Sequence, residues 1–90
     1  MVVLQTPNFK NKVNKLTKLQ KRDLDSAIKS LVKSPDQAER NKGGLAFLRV
    51  YKFKMNKQEQ LLGYSFDGDR LALELLALGA HENFYRDLKR

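Results

Sequence analysis

The sequence predicts an α+β fold: an N-terminal strand and a helical hairpin packed on a small antiparallel sheet, closed by a short C-terminal helix. Three observations predict it. Apolar residues recur at helical spacing between Phe9 and Val32. From Leu45 onward the chain turns to aromatic, β-branched and leucine-rich runs separated by short polar turns. The last apolar run stops at Gly79, and a polar cluster holding the lone histidine follows at once. The 90 residues are read as one domain, 1–90, with a single modest core.

The elements are justified in order. Met1 to Gln5 is short and β-branched and reads as a strand at or near a sheet edge. Thr6-Pro7 is a helix start, with Thr as N-cap and Pro at the first helical position. Phe9, Val13 and Leu16 then form a helical stripe. Thr17 opens a second helix, with Gln20 placed for a capping box. Its stripe is Leu24, Ala27, Ile28, Leu31 and Val32, and Ser34-Pro35 ends it. Residues 35–44, rich in polar groups and ending in Gly-Gly, are a loop. Leu45 to Met55, Gln60 to Phe66 and Arg70 to Leu78 are strands, joined by turns at Asn56 to Glu59 and Asp67 to Asp69. Short connections make these three an antiparallel meander. The helices are expected on one face, leaving the other open to a nucleic acid. A final helix begins near Glu82, with Phe84 and Leu88 packing it back on the domain.

Composition narrows the function. Eighteen Lys and Arg against ten Asp and Glu give a net charge of +8. Such an excess suits a polyanionic partner, or else a merely solvated basic surface. Lys10, Lys12, Lys15, Lys18, Lys21 and Arg22 all precede the first acid, which favours a phosphate footprint on the hairpin. There is no cysteine, so neither a disulfide framework nor a thiolate metal site is expected, and the cytoplasm is the expected compartment. No signal peptide, membrane span, Gly-rich phosphate loop or nucleophile elbow is visible, and one histidine makes no metal cluster. No cofactor, metal or membrane is therefore called for.

Two stretches carry candidate chemistry. In Tyr51-Lys52-Phe53-Lys54, alternation puts Lys52 and Lys54 on one face and the two aromatics on the other. Neighbouring ammonium groups suit a phosphate or base chemistry, but equally an exposed strand guarded by lysines. Leu48 and Val50 share the lysines' face, which must then be apolar at one end and basic at the other unless a bulge intervenes. Arg49 falls among the aromatics. His81, after the last strand, is placed for general acid or base work near neutral pH, or for filling a half-buried niche. Tyr85, four residues on, shares its face in a helical turn. It would stack on a base or hold a phosphate, and Glu82 would orient His81 or favour the helix N-terminus.

These residues resemble the RelE/ParE superfamily of type II toxin–antitoxin toxins across nearly the whole chain. Tyr51-Lys52-Phe53-Lys54 looks like the second-strand Y-K-x-K of RelE ribosome-dependent endoribonucleases. Leu76 to Tyr85, LALGAHENFY, looks like the G-x-H-x-x-x-F/Y ending of YafQ toxins. The resemblance implies a RelE-like fold, a cognate antitoxin, and an mRNA endonuclease working on the ribosome without metal. It implies Lys52 and Lys54 as base or phosphate clamp, His81 as acid and Tyr85 in the active site. Lys15, Lys18 and Arg22 would hold RNA phosphates. The arginine that RelE carries in its third strand falls here at Leu61, and His81 stands where RelE has another. Glu59 lies near a YafQ acidic position, while the other YafQ histidines have no counterpart. Arg49 or Arg86 is the expected substitute clamp. The alternative within the superfamily is a ParE-like inhibitor of DNA gyrase that acts by binding. A passive nucleic-acid-binding module ranks last.

Overall fold

The computed structural model describes residues 1–38, 40 and 47–88. The chain runs β1 (Val2–Gln5), α1 (Pro7–Asn14), α2 (Lys18–Lys33), β2 (Arg49–Met55), β3 (Gln58–Asp67), β4 (Ala72–Gly79) and α3 (His81–Leu88). The Gly-Gly loop and the first two residues expected in the second strand, Leu45 and Ala46, lie outside the described residues.

Both hairpin helices begin as their caps dictate. The Thr6 hydroxyl accepts from Phe9 N–H, with Pro7 at the first turn. Thr17 and Gln20 form a reciprocal capping box. Each cap satisfies amides that a helix start leaves without partners. Ser34 ends α2, one residue before Pro35.

The sheet order is β1-β4-β3-β2. The meander β2-β3-β4 is antiparallel, as expected. The sheet as a whole is mixed rather than antiparallel, because β1 pairs parallel to β4, Val2 with Ala72 through Gln5 with Leu75. The cause is the hairpin, which carries the chain across the sheet before the meander starts. The β2–β3 turn is tighter than expected. Only Asn56 and Lys57 turn, at φ of 53° and 69°. Two successive left-handed residues match the twist of the flanking strands.

One irregularity shapes the core. Gly63 pairs with Ala77 and Tyr64 with Leu75, so Leu76 is an unpaired extra residue. This bulge shifts the alternation of β4. Leu73 and Leu75 before it, and Leu78 after it, all reach the main core with Phe9, Leu24, Leu31, Leu62 and Tyr64. Leu76 and Ala77 both pack on the other face, with Leu48, Leu61 and Phe84. The second face is therefore not left open. α3 folds back over its middle through Phe84, as expected for that residue. The side chain of Leu88 lies outside the described part.

Candidate functional site

Lys52 and Lys54 stand exposed on β2, while Tyr51 and Phe53 between them are half-buried and stacked, ring centroids 6.3 Å apart at 14°. The alternation holds without a bulge in β2. Leu48 and Val50 occupy the lysines' face but sit in the second core, packed with Phe84. The face passes from apolar to basic because α3 covers only part of it. Lys54 stands opposite Glu59, and Lys52 opposite Leu61. Leu61 in turn faces Gly79, two residues before His81. Two strand spacings thus separate Lys52 from the exit of β4, roughly 10 Å between backbones.

His81 opens α3 rather than lying in a loop before it, and it is exposed. One helical turn on, Tyr85 meets it edge to face, ring centroids 5.4 Å apart at 68°. Phe84 holds Tyr85 from the other side, 5.0 Å away at 85°. The aromatic pair is fixed because Phe84 is buried, closing over Gly63. Among the described residues, no hydrogen bond or ion pair engages the side chains of Lys52, Lys54 or His81. Two cations and an imidazole are thus presented to solvent on one side of the sheet. No group of three or more His, Cys, Asp or Glu that could hold a metal ion occurs among the described residues.

The other candidates are placed differently. Arg49 is committed to the fold: its guanidinium donates to Ala38 O at 2.7 Å and Asp36 O at 3.4 Å. It pins the start of the α2–β2 loop, together with the buried Tyr64, whose hydroxyl donates to Pro35 O at 2.6 Å. Burial pushes the Tyr64 phenol above its ordinary value, outweighing the opposing pull of the Ala38 backbone and Arg49. Arg86 lies one turn into α3 and donates to Asn83 Oδ1 at 2.6 Å. Lys15 caps the end of α1, and Lys18 and Arg22 lie exposed on α2, four residues apart on one helical face.

One residue of consequence had no distinguishing sign in the sequence. Lys12 was one cation among the six that precede the first acid, yet its Nζ donates to Leu78 O at 2.8 Å, across 66 residues. It ties α1 to the end of β4, directly before the segment that carries His81. Only the three-dimensional pairing of α1 with β4 reveals it.

A family model described as the ParE-like toxin of type II bacterial toxin–antitoxin systems matches residues 3–89. Among solved structures, the chain is similar to one from the intact E. coli RelBE toxin–antitoxin complex. The TM-score is 0.70 at 15% identity, over 87% of this chain and 93% of that one. A double-arginine mutant of E. coli toxin RelE in the free state gives 0.70 at 17%, over 91% and 84%. The same mutant toxin with a peptide of antitoxin RelB gives 0.67 at 18%, over 97% and 92%. At such identities the likeness shows a shared fold. No curated protein matches the sequence.

Proposed function

Because the chain belongs to the ParE-like toxins of type II bacterial toxin–antitoxin systems, we propose that it acts by cutting mRNA on the ribosome. The carrying observation is the arrangement around the exit of β4. Exposed Lys52 and Lys54 lie on β2, and the His81–Tyr85 pair opens α3 at the end of β4, two strands away from Lys52. Roughly 10 Å separates the backbones of Lys52 and Gly79, two residues before His81, a span that long side chains can bridge to a shared phosphodiester.

The reaction needs no metal. A base removes the proton of a ribose 2′-hydroxyl, and that oxygen attacks the adjacent phosphorus. The bond to the 5′-oxygen breaks, and an acid protonates the leaving oxygen. The products are a 2′,3′-cyclic phosphate and a free 5′-hydroxyl. Lys52 or Lys54 serves as base, the other as cation beside the charged phosphate. His81 is the acid, and Tyr85 stacks on a base next to the cut. Arg86, exposed on α3, is the phosphate ligand of the pair, whereas Arg49 is held by loop carbonyls. Exposed Lys15, Lys18 and Arg22 supply charge toward ribosomal RNA.

The test is inducible expression in a bacterial host, with primer-extension mapping of a translated message. Codon-phased cuts are expected from the wild type, with a loss of about 100-fold or more in His81→Ala, as for removal of a general acid. Persistent cuts in both His81→Ala and Lys54→Ala would refute the assignment.

The family match itself favours a second reading, a toxin that inhibits DNA gyrase by binding. It predicts growth arrest and a DNA-damage response with messages intact. On either reading a cognate antitoxin neutralises the protein in the cytoplasm. An acidic helical segment laid over the sheet and basic groove would do so, with an affinity that falls as salt rises.

A further inference from the structure

A hollow of about 240 Å³ lies between α2 and β2. It is lined by Asp23, Ser26 and Ala27 from α2 and by Tyr51, Phe53 and Lys54 from β2. We infer that it takes a guanine base of the RNA strand held by Lys54, a recognition site that rests on the cleavage reading above.

Asp23, Ser26 and Ala27 share one face of α2 at i, i+3 and i+4. β2 ends the sheet, and the bridge from Arg40 covers only its start at Arg49. A strand of RNA can therefore cross its outer edge, phosphate on the lysine face and base on the aromatic face. There Tyr51 and Phe53 stand as near-parallel rings, 6.3 Å and 14° apart, half-buried against the main core. Such a fixed apolar wall suits a stacked base. The half-buried Asp23 is the recognising group. Its Oδ2 accepts from Asn56 N–H at 2.8 Å, which orients the carboxylate, and among the described residues nothing engages Oδ1. A cation is disfavoured as its partner, because Lys54 lines the same hollow. A neutral ring carrying N–H donors meets both conditions. Guanine offers two adjacent donors, N1–H and its N2 amino group, to the carboxylate, and O6 to the Ser26 hydroxyl. Uracil offers one N–H between two carbonyls, one of which would oppose the carboxylate. The volume lies below the roughly 300–1,000 Å³ of sites for drug-sized ligands, which fits a single base. Tyr85 and this hollow then hold bases on the two sides of the cut.

The test titrates the ¹⁵N-labelled full chain with 2′-O-methyl RNA hexamers, in which the attack is blocked. Each is a uridine strand with guanine, adenine, cytosine or uracil at one central position. The guanine hexamer should bind about 10-fold more tightly than the all-uridine one and shift the amides of Asp23, Ser26 and Phe53. Asp23→Asn keeps an oxygen for the Asn56 amide but turns one acceptor into a donor, so the preference for guanine should disappear. Phe53→Leu keeps an apolar side chain against the core and should weaken the guanine hexamer about 10-fold through lost stacking. The inference is overturned if wild type binds the guanine and all-uridine hexamers equally, or if the guanine preference survives Asp23→Asn. It is also overturned if no hexamer moves the three amides. Messages left intact in cells refute the cleavage reading instead, whatever the titration shows.

Discussion

Gly63→Ala tests how α3 is seated. A Cβ built on Gly63 would lie 2.7 Å from the Phe84 ring tip, 3.1 Å from a second Phe84 carbon and 3.1 Å from a Leu48 methyl. Phe84 and Leu48 are 1% and 0% exposed, so neither has solvent to retreat into. Gly63 does not use a positive φ, so the backbone accepts alanine and the whole effect is steric. Overpacking of this kind costs about 1–3 kcal/mol. Loss of glycine's freedom in the unfolded chain returns about 0.4–1 kcal/mol. The net destabilisation is therefore about 1–2 kcal/mol. With a urea slope of about 1–2 kcal/mol/M for so small a chain, the midpoint should fall by about 1 M. Hydrogen exchange should show α3 opening first, since the ring can escape only by lifting its helix. Phe84→Leu removes the ring tip that clashes, so the double variant should be less destabilised than the sum of the singles. An unchanged midpoint together with unchanged protection of α3 would refute the steric argument. So would strict additivity of the two substitutions.

Two further outcomes follow from features of the fold. Lys57→Gly relieves a left-handed lysine in the β2–β3 turn and should raise Tm by a few degrees in a thermal melt; an unchanged or lower Tm would remove strain at Lys57 from the account. Tyr64→Phe strands the Pro35 carbonyl and should cost about 1–3 kcal/mol at neutral pH by denaturant titration. Because burial raises the Tyr64 phenol, its contribution is complete below the unfolded value near 10 and drains away as pH rises through the folded one. The gap between wild type and Tyr64→Phe should accordingly narrow in alkaline solution, and a gap that widens would reverse the sign of this reasoning.

The helical hairpin was legible because its signals are local. Thr6-Pro7 and Thr17 with Gln20 announce caps that need no tertiary help. The meander was legible in its order but less so in its edges. The turn at Asn56 and Lys57 lacks the glycine that normally marks a two-residue hairpin, so it read as four residues. The bulge at Leu76 was invisible, because a leucine-rich run looks the same in either phase. The parallel docking of β1 depends on pairing across some 70 residues, which no local pattern encodes. At the site, the alternation of Lys52 and Lys54 and the helical pairing of His81 with Tyr85 follow from spacing alone. The roles of Arg49 and Lys12 do not. A basic side chain that serves carbonyls of a distant segment has the same local sequence as one awaiting an anion.

The position of β4 in the sheet bears on the order in which the chain is made. β4 is flanked by the first strand and by β3, and it supplies Leu73, Leu75 and Leu78 to the main core. Val2 through Gln5 wait for Ala72 through Leu75 before they have a partner. A nascent chain halted at residue 70 holds two capped helices and a β-hairpin but no closed sheet and no α3. Loop closure over that span is the slowest event available to it. The sheet therefore closes only once β4 is available to both of its neighbours, long after β1 has been made. If ribosome-bound message is the target, a chain not yet extended past β4 has neither the closed sheet nor the His81–Tyr85 pair with which to act on it.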